Sequence, residues 1–130
     1  MIVLDASAAI DWLLQTQAGL QLEKRIYSRG ESLHAPHLLD IEVTQVLRRF
    51  VREQVVASRR AEEAIADLLN LRIARYPHFP FLPRTWQLRH NLTAYDAVYI
   101  ALAERLNATL LTRDARMRTA SGHTARIEVF

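Results

Sequence analysis

The chain opens with a short apolar run, Ile2 to Leu4, which ends on a charge at Asp5; beyond it Ile10, Leu13 and Leu14 recur at helical spacing. The pattern predicts a strand over 2–4 followed by a helix with Ser7 as its cap. A second helix is expected from about Leu20 to Arg29, closed near Gly30, with Arg25 and Arg29 in the last turns where the helix dipole favours cations. Ser32 to Ala35 reads as a short strand stopped by Pro36. From His37 to Arg52, residues Leu39, Val43, Val46, Leu47 and Phe50 form the stripe of a helix packed on a core.

In the second half, a helix is expected from Ser58 to Asn70 and a strand from Leu71 to Ala74. Tyr76 to Pro83 has three prolines and a histidine and reads as a loop, followed by a short helix from Thr85 to His90. Ala94 to Leu106 is helical between Thr93 and Asn107, Thr109 to Leu111 is a strand, Ala115 to Thr119 a short helix, and Arg126 to Val129 a last strand. Strands alternating with helices imply an α/β fold with a mainly parallel sheet and helices on both faces. Ligands in such sheets sit beyond the carboxyl ends of the strands, where the strand order reverses. His34 and His37, on either side of Pro36, are expected in loops.

Composition narrows the function classes. At 130 residues, half of them apolar, one domain over 1–130 with a single core is expected. With no cysteine, a disulfide framework, a thiolate zinc site and a cysteine nucleophile are excluded. The first residues lack a basic leader and no stretch reaches eighteen apolar residues, so a cytoplasmic protein with no membrane span is expected. Three glycines leave no room for the glycine-rich phosphate loops of nucleotide cofactor sites. The net charge of +3 rests on sixteen arginines and one lysine, and arginine is the fork-shaped phosphate binder.

Four acids stand where an unpaired charge is seldom tolerated. Asp5 and Asp114 follow the apolar runs 2–4 and 109–111 and so lie at the ligand edge of the sheet. Glu42 is aligned with Leu39 and Val46, and Asp96 with Ile100 and Ala103, which turns both towards the core. Asp40, about 200° around the helix from Glu42, is expected to face water. Each acid has a local alternative: Asp96 as part of a capping box with Thr93, Asp114 as a helix cap, Asp5 as a turn residue, Glu42 as the partner of an arginine. Together they make a different case. Two carboxylates about 4 Å apart repel by roughly 4 kcal/mol at an effective dielectric near 20, so several such pairs rival the whole stability of a small domain, about 5–15 kcal/mol. An oxygen-only cluster of this kind suits a hard cation such as Mg²⁺ or Mn²⁺. Ser7, Thr112 and Asn91 stand close in sequence to these acids as supporting polar groups.

Ile2-Val-Leu-Asp-Ala-Ser-Ala, Glu42 on a helix entered through Ala35-Pro36, Leu92-Thr-Ala-Tyr-Asp-Ala97 and Leu110-Leu-Thr-Arg-Asp114 together resemble the PIN-domain ribonucleases, most closely the VapC toxins of toxin–antitoxin pairs. The resemblance spans the whole chain. It implies a three-layer α/β/α sandwich and Mg²⁺-dependent endonucleolytic cleavage of RNA. Asp5, Glu42, Asp96 and Asp114 would form the catalytic pocket, with Asp5, Asp96 and Asp114 on the metal and Ser7 and Thr112 in support. One or two ions would polarise the phosphodiester and lower the pKa of a bound water for in-line attack, leaving a 5′-phosphate and a 3′-hydroxyl. Asn91 stands where many relatives carry glycine, a position at which asparagine also tolerates a positive φ. The resemblance further implies a VapB-type antitoxin seated on a hydrophobic groove, to which Trp12, Leu13 and Leu14 could contribute, and a homodimer of toxins or a heterotetramer or larger assembly with the antitoxin.

Because an acidic centre repels RNA, arginines outside it should meet the phosphates; Arg48, Arg49, Arg52, Arg113, Arg116 and Arg118 are the candidates. Phosphotransfer folds with strand-end acids fit less well: one needs an acid where Ser7 stands, another a late strand-end lysine, and the only lysine is Lys24. The alternative of another class is a non-catalytic RNA- or partner-binding domain that keeps the acids as structure.

Overall fold

In the computed structural model, which describes residues 1–130, Ile2–Leu4 forms strand β1 with all three residues buried. Helix α1, Ala6–Leu13, begins directly after it, and α2 covers Gln17–Ser28. Asp5, not Ser7, caps α1: its carboxylate accepts from the Ala8 amide at 2.9 Å. An aspartate at the strand end already has the extended backbone that a cap requires, while Ser7 lies inside the first turn. Helix α2 starts earlier than the sequence predicts because the Thr16 hydroxyl caps it by accepting from Gly19.

Strand β2 is Leu33–Pro36, α3 is Leu38–Arg52, α4 is Ser58–Asn70 and β3 is Ile73–Tyr76. His34 is therefore no loop residue. It is buried in β2, with one ring nitrogen 2.8 Å from the Ser32 hydroxyl and the other 2.7 Å from the Tyr76 hydroxyl. Asp40 is not free in water either, because Arg75 of β3 holds both its oxygens, at 2.7 and 3.0 Å. The segment expected as a loop contains a single 3₁₀ turn, Phe79–Phe81, and the start of α5, Leu82–Gln87. Pro83 lies in the first turn, where a missing N–H costs nothing, so the prolines begin this helix and do not delay it to Thr85.

Helix α6, Ala94–Leu106, is buried without a break from Ala97 to Ala103, so it is a central helix enclosed on all sides and not a one-faced one. Asn107 ends it with φ 50°. Asn91 does not adopt a positive φ; its side-chain amide donates to the Ser121 carbonyl. Strand β4, Thr109–Thr112, helix α7, Ala115–Thr119, and strand β5, Arg126–Val129, complete the chain.

All four strand pairings are parallel and the order is β3-β2-β1-β4-β5. Helices α1 to α4 form one packed group, while α5 packs on α6, which lies over β1, β2 and β4. This is the expected α/β/α sandwich with a parallel sheet. The order reverses between β1 and β4, whose register pairs Leu4 with Leu111, so the residues beyond both strands emerge side by side. No helix is long and apolar enough to cross a membrane.

Helices α1 and α2 approach so closely that a Cβ on Gly19 would lie 1.9 Å from the Asp11 carbonyl oxygen. Gly19→Ala should therefore lower stability by about 2 kcal/mol or more in urea unfolding, the cost of forcing an extra carbon into packed backbone.

Candidate metal-binding active site

Asp5 is 6% exposed, and its carboxylate is held on three sides. Oδ1 accepts from the Ala8 amide and the Ser7 hydroxyl, at 2.9 and 2.8 Å, and Oδ2 accepts from the Thr112 hydroxyl at 2.5 Å. Ser7 in turn accepts from the Arg113 amide, and Thr112 from the Asp114 amide, both at 2.9 Å. The two hydroxyls thus join the start of α1 to the β4–α7 turn. Parallel pairing of β1 with β4 is what brings Thr112 beside Asp5.

Glu42 of α3 and Asp96 of α6 enter from the helices. The partner of Glu42 is not an arginine but Tyr99, whose hydroxyl donates to Oε1 at 2.6 Å. Sequence reasoning missed Tyr99; the signal was its place three residues after Asp96, one turn along α6. The amide of Asp96 donates to the Thr93 hydroxyl, so the cap expected from Thr93 is formed. The Asp96 carboxylate stays beside the Thr93 hydroxyl at the amino end of α6. Asp114 caps α7 through the Arg116 amide and also binds the Arg116 guanidinium, at 3.0 and 2.8 Å.

The four carboxylates line one cavity of about 440 Å³, together with Ser7, Leu38, Ile41, Gln45, Val46, Tyr95 and Tyr99. Burial raises the pKa of Asp5, Glu42 and Asp96 above the usual carboxylate range; repulsion from Asp96 adds to it at Asp5, from Asp5 and Asp96 at Glu42, and from Asp114 at Asp96. Asp114 moves the other way because Arg116 holds it. Burial and the neighbouring Glu42 charge push the Tyr99 phenol up, which keeps it a donor.

The donor set fits a hard divalent cation. It consists of oxygens only, Glu42 Oε2 makes no hydrogen bond, and burial raises the pKa of three of the four acids. No three acidic or imidazole groups lie close enough to share an ion in this arrangement.

The arginine candidates divide. Arg113 binds Asp11 at 2.8 Å and the Phe130 carbonyl, and Arg116 binds Asp114. Arg48, Arg49, Arg52 and Arg118 are exposed, and Arg49, seven residues after Glu42, lies on the same side of α3. Of the residues expected at a groove, Trp12 and Leu13 are mostly buried and edge a separate hollow with Tyr27 and Leu71, while Leu14 lines an apolar groove with Ile10, Val46, Phe50, Val55 and Val56. That groove shares Ser7 and Val46 with the acidic cavity.

Residues 2–122 match the family model described as PIN domain. The chain belongs to the PIN-domain family. It is 41% identical to Ribonuclease VapC12 of Mycobacterium tuberculosis over 129 residues, covering 99% of this chain and 98% of that protein. Two solved structures share the PIN fold. One is Mycobacterium tuberculosis VapC20, described as a Sarcin-Ricin loop cleaving toxin, with a TM-score of 0.69 at 16% identity over 95% of this chain and 97% of that one. The other is VapBC2 from Rickettsia felis bound to a DNA fragment from their promoter, at 0.66 and 11% over 99% and 98%.

Two outcomes follow for the protein in chelator. A carboxyl whose pKa is raised on folding contributes stability fully below its unfolded value, near 4, and loses it as pH rises through the folded value. Asp5, Glu42 and Asp96 should therefore weaken the fold as pH climbs from about 4.5 towards neutrality, whereas the lowered Asp114 and Glu104 act below that window. Asp96→Asn should melt higher than wild type at pH 7 and lose that advantage near pH 4.5. Tyr99→Phe should cost about 1–3 kcal/mol in denaturant unfolding, because Glu42 then loses its hydroxyl donor in a half-buried place.

Proposed function

We propose that this chain, as one PIN-like domain over residues 1–130, is a metal-dependent endoribonuclease acting as the toxin of a toxin–antitoxin pair. The observation that carries the reading is the convergence of Asp5, Glu42, Asp96 and Asp114, from four separate elements, on one cavity at the reversal of a parallel sheet. Kinship with VapC ribonucleases supports the substrate class.

Asp5, Asp96 and Asp114 are the residues that would hold Mg²⁺ or Mn²⁺. The cation, when bound, supplies Lewis-acid polarisation of a phosphoryl oxygen and a lowered pKa for water. The chain's own residues do the rest. Ser7 and Thr112 fix the orientation of Asp5, and the Asp114 amide is fixed by the same Thr112 hydroxyl. Tyr99 holds Oε1 of Glu42 and leaves Oε2 free to take a proton from the attacking water, a role suited to a carboxylate with a raised pKa. Products are a 5′-phosphate and a 3′-hydroxyl. Arg48, Arg49 and Arg52 meet the phosphates along α3, while Arg113 and Arg116 serve first to brace Asp11 and Asp114.

A VapB-type antitoxin seats an apolar segment in the groove of Ile10, Leu14, Val46, Phe50, Val55 and Val56, where its shared border with the cavity would obstruct the acids. The toxin forms a homodimer, and a heterotetramer or larger assembly with the antitoxin, in the cytoplasm.

Labelled RNA incubated with folded protein should be cut in Mg²⁺ and left whole in EDTA, and Asp5→Asn and Asp96→Asn should each slow cutting by about a hundredfold or more. Equal cleavage by all three proteins would remove the acids from the chemistry; binding without cleavage by wild type would favour the RNA-binding module. Saturating Mn²⁺ at neutral pH should raise the melting temperature by roughly 5–10 °C, and Glu42→Gln should shrink that rise.

A further inference from the structure

The acids account for only part of the cavity wall. Leu38, Ile41, Gln45 and Val46 of α3 and Tyr95 of α6 complete it. Residues 38, 41, 42, 45 and 46 recur at three- and four-residue steps, so α3 presents a second stripe beside its core stripe of Leu39, Val43 and Leu47. A cation needs none of these apolar groups. Ile41 is 69% exposed and Tyr95 63% exposed, so core packing does not explain them either. Tyr99 donates its hydroxyl to Glu42, but the Tyr95 hydroxyl and the Gln45 carboxamide make no hydrogen bond inside the chain.

The combination has a chemical counterpart. A nucleobase offers a flat π-face to an aromatic ring and an edge of adjacent donors and acceptors to a planar carboxamide, which carries one acceptor oxygen and two donor hydrogens. Its phosphate would be drawn to the adjoining acidic floor once a cation neutralises it. The cavity, about 440 Å³, is in the range of sites that enclose small organic groups, about 300–1,000 Å³.

We propose that this wall is a nucleobase subsite, in which an unpaired base next to the scissile phosphate stacks on Tyr95, contacts Leu38 and Ile41, and presents its edge to Gln45. The proposal rests on the reading of the acids as an RNA-cleaving centre and deepens it by naming the specificity residues. The substrate it selects is single-stranded, looped or bulged RNA, because a base inside a helical stack exposes neither face. A protein segment is the weaker occupant, since the adjacent groove of Ile10, Leu14, Phe50, Val55 and Val56 offers it apolar surface that does not include the four cavity acids.

The test uses the full chain and its variants Tyr95→Ala, Tyr95→Phe and Gln45→Ala with a random-sequence single-stranded RNA pool. Cleavage ends are sequenced in Mg²⁺, kcat and KM are measured on one preferred oligonucleotide, and binding of the pool is measured in Ca²⁺. Tyr95→Ala should weaken binding and raise KM roughly ten-fold, more than it lowers kcat, and Tyr95→Phe should restore most of the loss. Gln45→Ala should relax the base preference at one position beside the cut. If wild type cleaves while Tyr95→Ala and Gln45→Ala cut the same sites with the same KM, the subsite is refuted and the nuclease reading stands. If wild type binds the pool without cutting it and Tyr95→Ala loses that binding, the nuclease reading fails and the base-binding wall stands; equal binding by both refutes the wall. Variants that keep RNA binding but lose capture of an antitoxin assign the wall to a protein partner and overturn the proposal.

Discussion

The buried carboxylate of Asp5 is held by the Ala8 amide, the Ser7 hydroxyl and the Thr112 hydroxyl, and these bonds tie three elements together. A buried charge is costly unless its oxygens are hydrogen-bonded. Ser7 and Ala8 are local to the start of α1, but the Thr112 donor is present only when β1 lies beside β4 in the observed register, because Thr112 ends β4 and Asp5 follows β1. The strand order that opens the crevice and the contacts that make an acid tolerable in it are therefore one arrangement. Glu42 and Asp96 enter the same crevice from the helices, where burial first, and then repulsion from Asp5 and Asp96 at Glu42 and from Asp114 at Asp96, raises their pKa values.

The other ionic contacts of the protein work differently. Arg25 bridges the nearby Glu31 and the distant Glu128, Arg75 of β3 holds Asp40 of α3, and Arg84 of α5 holds Glu104 of α6. At the turn after β4, Arg113 reaches Asp11 of α1, while Arg116 pairs locally with Asp114. An arginine-rich composition thus overstates the surface free for RNA, since much of it braces the periphery. On α3, Arg48, Arg49 and Arg52 form no ion pair and follow the stripe that faces the cavity.

That stripe gives α3 three tasks along one length. Leu39, Val43 and Leu47 fill the core, Glu42 contributes an acid to the cavity, and Val46 and Phe50 border the apolar groove. Cavity and groove meet at Ser7 and Val46, so an occupant of either touches the boundary of the other. A proposed inhibitor in the groove and a proposed nucleotide over the acids would compete for that border without sharing a binding chemistry.

Local pattern was enough to place most of these elements. The apolar run 2–4, the stripe of α3, and Thr93 and Asn107 at the ends of α6 are statements about neighbours a few residues apart, and so were the positions of the four acids relative to strand ends and helix faces. The misplacements have a common origin in long-range contact. His34 is buried because Tyr76 comes alongside it, Asp40 is paired because Arg75 arrives on β3, and α5 starts early because Pro83 suits a first turn packed on α6. Likewise Tyr99 on Glu42, Thr112 on Asp5 and the apolar wall at Tyr95 join residues 57, 107 and about 50 positions apart. The sequence by itself determined which residues form strands and helices and which acids point inward, since periodicity acts over a few residues. Only the tertiary structure decided which acids meet and what holds each one, because that depends on strand order and helix packing, which bring together groups with no local relation in the chain.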